Sequence, residues 1–279
     1  MVFYPEISID SVYDLLVGKI KSYFQSAGMK KAVIGLSGGI DSAVVALLAA
    51  DALGAENVHG ILMPSMFSTD HSLTDSVDLA KRIGVSYEMV PIAPIFGAMA
   101  EQLHHYFSDV EWHVAFENIQ ARIRCTILMA YSNRYNALLL NTSNKSELSI
   151  GYGTLYGDLS GALMVIADLY KLQVYELAHY INRNQERIPI NIINKVPSAE
   201  LKPDQKDSDS LPPYEELDPV LHSYNDLGHS PEDIIASGVD PMLVERIAKL
   251  RRSSAFKAMQ VPPELIVAGM PLLPPFKCI

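Results

Sequence analysis

The segment from residue 31 to residue 54 constrains the fold more than any other part of the sequence, because two apolar runs of different length meet there at a glycine-rich turn. The first run, residues 32–36, is short, which predicts a buried strand. The second run continues to residue 53, which predicts a helix. A strand that leads directly into a helix is typical of a βαβ unit, in which the strands lie parallel.

The same alternation of short and long apolar segments continues along the chain. It predicts a doubly wound α/β fold, a parallel sheet with helices on both faces, followed by C-terminal helices in one domain that spans residues 1–279. The predicted strands lie at residues 32–36, 58–64, 86–92 and 136–140. The other predicted helices lie at residues 11–25, 72–83 with a stop at Gly84, from 116 onward, 170–182, 231–236 and 241–252.

Composition excludes several classes of protein. The net charge of −10 and the pI near 5.2 disfavour nucleic acid as a main partner, because a phosphate backbone attracts basic side chains. The two cysteines, Cys125 and Cys278, and the eight histidines have no spacing typical of a disulfide framework or a zinc site. No apolar run reaches the ~18 residues of a membrane span, and the first residues do not resemble a signal peptide. We therefore expect a cytoplasmic protein without a membrane partner.

The turn itself, GLSGGIDS at residues 35–42, predicts an anion site. Gly38 and Gly39 allow a tight turn whose N–H groups approach an anion, and the positive end of the following helix points to the same place. The turn lacks the lysine of the common nucleotide loop. The carboxylate of Asp41 would repel a bound anion unless a cation such as Mg²⁺ lies between them. A purely structural turn with Asp41 as a helix cap is the alternative.

The pattern S-G-G-x-D-S after a strand resembles the pyrophosphate loop of the N-type ATP pyrophosphatases. Four further stretches resemble the NAD synthetase family in the same order, and the resemblance covers about residues 35–218. These stretches are ENIQARIR (117–124), NTSNKSE (141–147), GYGTLYGDLSGAL (151–163) and PSAELKPDQKDSDSLPPYEELD (197–218). The sequences of the second and fourth stretches are most similar to the synthetase domain of the glutamine-dependent enzymes. We expect the 279 residues to have no room for the nitrilase-like glutaminase domain of those enzymes.

This resemblance implies the adenine nucleotide alpha hydrolase-like fold and a reaction in two steps. The nicotinate carboxylate of deamido-NAD attacks ATP to give an adenylate and pyrophosphate, and ammonia then displaces AMP to give NAD. The resemblance implies Asp41 and Glu147 as ligands of Mg²⁺, and Asp41, Glu147 and Lys171 as catalytic residues. The ATP-binding residues that it implies are Gly35, Leu36, Ser37, Gly38, Gly39, Ile40, Asp41, Ser42, Thr142, Lys171 and Ser198. The implied deamido-NAD-binding residues are Arg122, Asp158, Asp207 and Lys257.

Each of these residues also has a plainer interpretation. Glu147 and Lys171 would be solvated surface charges, Thr142 a helix cap and Ser198 a turn hydroxyl. Arg122 and Arg124 are separated by about 200° around a helix, so we expect one to bind ligand and the other to be structural, with Glu117 as a salt-bridge partner. Residues 195–213 are interpreted either as a linker or as a mobile loop that orders over a ligand.

Several positions depart from the family pattern. Ser208 replaces a usual glutamate, the segment AFKAMQ (255–260) keeps only Lys257 of a basic run, and Leu155 and Ala162 replace the lysine and aspartate of the ammonia-dependent enzymes. The resemblance implies a homodimer, and we expect it to use free ammonia or ammonia from a separate glutaminase. The alternatives are another adenylating, amide-forming enzyme of the same fold and a non-catalytic ATP-binding regulatory module.

Overall fold

A parallel sheet forms the centre of the computed structural model, which describes residues 8–104, 106–107 and 113–267. Within this part of the chain the sheet has five strands in the order β3-β2-β1-β4-β5. The strands are β1 (Lys31–Gly35), β2 (Val58–Leu62), β3 (Ser86–Met89), β4 (Ala137–Asn141) and β5 (Leu163–Met164). Neighbouring strands pair in parallel, for example Val33 with His59 on one side and with Leu139 on the other.

The strand order reverses beside β1, the central strand. The chain runs from β1 outward to β2 and β3, then returns to place β4 on the other side of β1. The carboxyl ends of β1 and β4 therefore lie next to each other, although about 100 residues separate them. Ligands of open parallel sheets bind at such a reversal point, and the residues of the candidate site come from the loops that begin there.

Two apolar clusters cover the opposite faces of the sheet. Because side chains alternate along a strand, Ala32 and Ile34 point to one face and Val33 to the other. The first face packs against helices α1, α2, α3 and α7, and the second against α4 and α5. These helices are α1 (Ile9–Ser26), α2 (Ile40–Leu53), α3 (Asp70–Ile83), α4 (Ala93–His104), α5 (Val114–Tyr135) and α7 (Lys171–Ile181).

A third cluster joins the C-terminal helices to residues that follow β4 and β5 in the chain. Ile150 and Tyr170 pack against Leu217, Leu221 and other apolar residues. The remaining helices are α6 (Lys145–Ile150), α8 (Ile190–Asn194), α9 (Tyr214–Asn225), α10 (Pro231–Ala236) and α11 (Pro241–Ser254).

The predicted parallel α/β fold with helices on both faces is confirmed, and the four predicted strands and their helices are present. The helix at 72–83 begins two residues earlier, at Asp70, and Gly84 ends it in the left-handed conformation (φ 74°). The sequence interpretation missed β5, which has two residues, the short helices α6 and α8, and α9, which carries Pro219 in its interior. Residues 195–213 contain only a 3₁₀ turn at Asp207–Asp209.

No helix in the described ranges is both long and apolar enough to cross a membrane. Cys125 is a free thiol. Cys278, His105 and the proline-rich C-terminal tail lie outside the described residues.

Candidate active site

The glycine turn between β1 and α2 has a geometry that requires glycine at one position. Gly38 has φ +75°, and a Cβ atom there would lie 2.5 Å from the backbone oxygen of Ser72. The two hydroxyl groups of the turn, on Ser37 and Ser42, lie 3.1 Å apart, and that of Ser42 also donates to the Gly39 carbonyl oxygen. The turn is therefore held tightly between the sheet and the start of α3, and it directs its hydroxyl groups and the α2 N-terminus to one place.

A cavity of about 290 Å³ opens beside this turn, at the carboxyl ends of β1, β2 and β4. A smaller cavity of about 150 Å³ shares part of its lining and includes Lys171 and Asp207. Among the predicted site residues, those that line one or both cavities are Gly35, Leu36, Ser37, Gly39, Ile40, Asp41, Ser42, Thr142, Glu147, Asp158, Lys171, Ser198 and Asp207.

Lys171 brings the two predicted metal carboxylates together. It is the first residue of α7 and its side chain is 3% exposed. Its ammonium nitrogen lies 2.5 Å from Asp41 Oδ2 and 3.7 Å from Glu147 Oε1. The interpretations of Lys171 and Glu147 as solvated surface charges are therefore wrong, because both side chains face the interior of the site.

The N-terminus of α6 fixes Glu147. Asn144 is its N-cap, and the Asn144 side chain accepts a hydrogen bond from the Glu147 backbone N–H in a capping box. Thr142 is thus not the cap of this helix. Asp41 is not a cap either, because Gly39 has that position in α2 and the Asp41 carboxylate accepts hydrogen bonds from Asn144 and Lys171.

Burial shifts the pKa of several ionisable groups in the site. Burial, together with the charge of Asp41, raises the pKa of Glu147 to about 8. Burial alone would lower the pKa of Lys171, but the carboxylates of Asp41 and Glu147 raise it above its ordinary value, so Lys171 is a cation at neutral pH. Burial also raises the pKa of Asp207, which accepts hydrogen bonds from the hydroxyls of Tyr152 and Tyr214.

The two arginines of α5 have different surroundings. Arg124 lines the larger cavity, donates from Nε to the Met63 carbonyl oxygen, and has a pKa that burial lowers to about 10. Arg122 is exposed and donates from Nε to the Leu155 carbonyl oxygen. The expected salt bridge of Glu117 is wrong, because in the described structure Glu117 pairs with neither arginine, whose side chains bond to carbonyl groups.

Lys257 lies apart from the two cavities of the site. Its ammonium group donates to the carbonyl oxygens of Gly151 and Gly153, at 2.8 and 2.6 Å, and it lines a third cavity of about 380 Å³. Lys257 therefore holds the loop that leads to Asp158, and the structure does not bring it to the glycine turn.

The start of the predicted mobile loop packs against the start of α3. Glu200 accepts hydrogen bonds from the hydroxyls of Thr69 and Ser72 and pairs with Lys195 at 2.8 Å. Ser198 donates to the Gln205 carbonyl oxygen, as its interpretation as a turn hydroxyl predicts, and also lines both cavities. Residues 198–201 thus form one wall of the larger cavity.

Two polar residues of the site were missed by the sequence interpretation. Asn144 contacts both Asp41 and Glu147, and the spacing Asn144-x-x-Glu147 is the sequence signature of a capping box. Asp218 is fully buried and accepts hydrogen bonds from the Ser146 hydroxyl and the Leu172 N–H, so it joins α6 to α7. Nothing in the local sequence distinguishes Asp218 from its acidic neighbours.

Comparisons with known proteins agree with this geometry. The family model described as NAD synthase matches residues 12–261. A glutamine-dependent NAD(+) synthetase from Synechocystis is 46% identical over 94% of this chain, but over 47% of its own length. The chain spans about half the length of the curated relatives it matches.

Solved structures have the same fold. The NH3-dependent NAD synthetase from Campylobacter jejuni, at 31% identity, covers 90% of this chain and 96% of its own with a TM-score of 0.74. The NMN synthetase from Francisella tularensis, at 28% identity, covers 91% and 97% with a TM-score of 0.77. With its glycine turn, its paired carboxylates and a family match over most of its length, the chain belongs to the NAD synthase family.

Proposed function

We propose that the protein converts deamido-NAD to NAD by ATP-dependent amidation, through an adenylated intermediate, with ammonia as the nitrogen donor and AMP and pyrophosphate as products. The observation that carries this proposal is the group of Asp41, Glu147 and Lys171 beside the glycine turn, in a chain of this family. A carboxylate is a poor acyl donor because its leaving group would be an oxide. A mixed anhydride with AMP solves this problem.

In the first step the nicotinate carboxylate oxygen attacks the α-phosphorus of ATP, and the bond to the bridging oxygen of pyrophosphate breaks. The N–H groups of the turn and the hydroxyls of Ser37 and Ser42 bind the departing pyrophosphate. Lys171, which is buried and cationic, stabilises the negative charge that develops on the phosphates. The main task of these residues is to position charges.

The residues present fit magnesium. Asp41 and Glu147 bring two carboxylates together beside the glycine turn, and both face the Lys171 ammonium group. No group of three or more His, Cys, Asp or Glu side chains in the described ranges is arranged to hold a metal. The two carboxylates suit Mg²⁺, which is commonly held by one or two carboxylates together with substrate phosphates. When bound, Mg²⁺ neutralises the phosphate charge and makes pyrophosphate a better leaving group.

In the second step ammonia attacks the activated carbonyl carbon, the bond to the AMP oxygen breaks, and a proton leaves the nitrogen. Water would compete with ammonia, so the site has to exclude it. The segment at residues 195–201, held by the contacts of Glu200 with Thr69, Ser72 and Lys195, covers one side of the cavity. This supports its role as a loop that closes over the ligand.

A homodimer is part of the proposal. Apolar side chains on α4 and α5 remain exposed in the single chain, at 40% or more of their surface. They include Ile95, Met99, Val114, Met129 and Tyr135. A second copy packed on this face would cover them and lie close to Arg122, which is on the same helix. Light scattering of the purified protein tests this, and a monomer at micromolar concentration would contradict it.

The decisive experiment measures NAD formation with ATP, Mg²⁺ and deamido-NAD in two parallel reactions, one with ammonium and one with glutamine. The proposal expects NAD with ammonium alone; product with glutamine alone would contradict free ammonia as the donor. A third reaction replaces deamido-NAD with nicotinate mononucleotide, the analogous acid of the product named for the Francisella relative. Turnover of only that mononucleotide would show a different substrate, and ATP binding without turnover of either acid would favour a regulatory module.

A further inference from the structure

Asn144 is the one described side chain that hydrogen-bonds to the Asp41 carboxylate and also caps the helix that carries Glu147. It is completely buried. Its Oδ1 accepts the Glu147 backbone N–H at 3.0 Å, and its own backbone N–H donates to Glu147 Oε2 at 3.3 Å. Because Oδ1 is used by the cap, the amide nitrogen faces the other way and donates to Asp41 Oδ1 at 2.9 Å.

Asn144 and Lys171 divide the four carboxylate oxygens between them. Asn144 binds Oδ1 of Asp41 and Oε2 of Glu147. The other oxygen of each carboxylate, Oδ2 of Asp41 and Oε1 of Glu147, faces the Lys171 ammonium group at 2.5 and 3.7 Å. As a result, one oxygen of each carboxylate points to a common place.

A helix cap alone does not need this arrangement. Serine, threonine or aspartate caps a helix about as well as asparagine does. The chain contains an independent example in α10, a six-residue helix like α6, where Ser230 forms a capping box with Asp233. Only the amide of Asn144 provides both the acceptor for the cap and a donor that reaches across to α2.

We propose that Asn144 is a positioning residue, which orients the carboxylates of Asp41 and Glu147 so that the two oxygens it does not bind, Oδ2 of Asp41 and Oε1 of Glu147, can receive the magnesium ion together beside Lys171. This inference rests on the proposed function, because it presupposes that the two carboxylates bind the metal. Magnesium requires near-ideal octahedral geometry, so the direction of each ligand oxygen strongly affects its binding. Residues that orient metal ligands typically change metal affinity or activity 10- to 100-fold when they are replaced.

The test uses Asn144→Ser and Asn144→Thr, which keep a capping oxygen and lose the amide donor to Asp41. Binding of Mn²⁺, as a probe for Mg²⁺, is measured by electron paramagnetic resonance with an ATP analogue that has a methylene group between the α- and β-phosphates. We expect the dissociation constant for Mn²⁺ to rise about 10- to 100-fold in both variants. The Mg²⁺ concentration for half-maximal rate should rise in parallel.

Ser230→Ala is the matched control, since it removes a capping-box side chain from a helix of the same length outside the site. It should lower the melting temperature without changing Mn²⁺ binding. Wild-type Mn²⁺ affinity in both Asn144 variants would overturn the inference and leave the proposed function intact. Absence of Mn²⁺ binding by the wild-type protein would overturn the metal assignment as well.

Stability separates a structural role from a positioning role. If both Asn144 variants fail to fold while Ser230→Ala folds, Asn144 acts through the fold and the inference is wrong. It is also wrong if Ser230→Ala weakens Mn²⁺ binding by the same factor, because the effect would then follow general stability.

Discussion

Lys171 and Asp41 are 130 residues apart in the chain, yet the ammonium nitrogen of one lies 2.5 Å from a carboxylate oxygen of the other. The pair connects the start of α7 to the start of α2 across the reversal point of the sheet. Because Lys171 is almost completely buried, its charge requires the two carboxylates that face it. The arrangement satisfies the cation and at the same time keeps two acidic groups close together.

We expect Asp41→Asn and Glu147→Gln to nearly abolish NAD formation, because each removes a carboxylate from the proposed magnesium site. The measurement is the rate of NAD formation at increasing Mg²⁺ concentration. Asp51→Asn is a suitable control, since Asp51 is also in α2 and forms an ion pair with Arg187 at 2.6 Å. Its turnover should stay close to that of the wild type. A normal rate and Mg²⁺ dependence in either site variant would contradict the metal assignment.

Gly38→Ala should destabilise the protein and weaken ATP binding. The new Cβ atom would lie 2.5 Å from the Ser72 backbone oxygen, in addition to the strain of φ +75°. Gly28→Ala separates the backbone strain from the steric clash. Gly28 has φ +66°, but no other atom lies within 4 Å of the place that a Cβ would take. We expect a loss of about 1–2 kcal/mol for Gly28→Ala from the backbone conformation alone. Calorimetric titration with ATP should show weaker binding only for Gly38→Ala, and equal ATP affinity in the two variants would contradict the role of the turn.

Arg122→Ala should weaken the binding of deamido-NAD far more than that of ATP. The guanidinium group is exposed beside the loop at Leu155, and Arg122 lines neither of the two cavities beside the glycine turn. We expect KM for deamido-NAD to rise about tenfold or more, the effect of one lost charge-assisted hydrogen bond. Arg134→Ala, on the same helix, should leave both KM values unchanged. An equal rise of both KM values in Arg122→Ala would give this residue a structural role.

Asp218 should make stability depend on pH. Burial raises the pKa of Asp218 from 3.8 to about 7, so the native state binds its proton more tightly than the unfolded chain does. Its contribution to the free energy of unfolding is therefore complete below about pH 4 and is lost as pH rises from there through 7. The free energy of unfolding of Asp218→Asn, taken relative to that of the wild type, should therefore be higher at pH 8 than at pH 4 by on the order of 1–4 kcal/mol. Urea unfolding at both pH values measures this difference, and a value independent of pH would contradict it.

The sequence predicts the sheet well because the information is local. Strands β1, β2 and β4 are largely apolar runs bounded by polar or turn residues, and Gly84 ends α3 in the left-handed conformation that glycine favours. β5 was not predicted because its two residues, Leu163 and Met164, are too few to show the alternation of side chains that is typical of a strand. α9 was not predicted because Pro219, in the interior of the helix, interrupts its pattern.

The candidate site was predicted as a set of residue identities, without their contacts. The glycine turn indicates an anion site, whereas the pairing of Lys171 with Asp41 depends on the adjacency of β1 and β4, which no local pattern reveals. For the same reason the burial of Asp218 could not be predicted, since its neighbours Glu215 and Glu216 are equally acidic and are exposed. The contact of Lys171 with Asp41 and the burial of Asp218 both depend on which distant segments pack together, and residue type alone does not reveal this.

The reversal of strand order also determines when the site forms during folding. Asp41 can meet Asn144 and Lys171 only after β4 has paired with β1, which requires closure of a chain segment of about 100 residues. Such non-local pairings form slowly compared with helices and turns. A partly folded chain that already has α1, β1, α2 and β2 therefore has the glycine turn but no place for a nucleotide. Gain of ATP binding during refolding would report the moment at which the two halves of the sheet join.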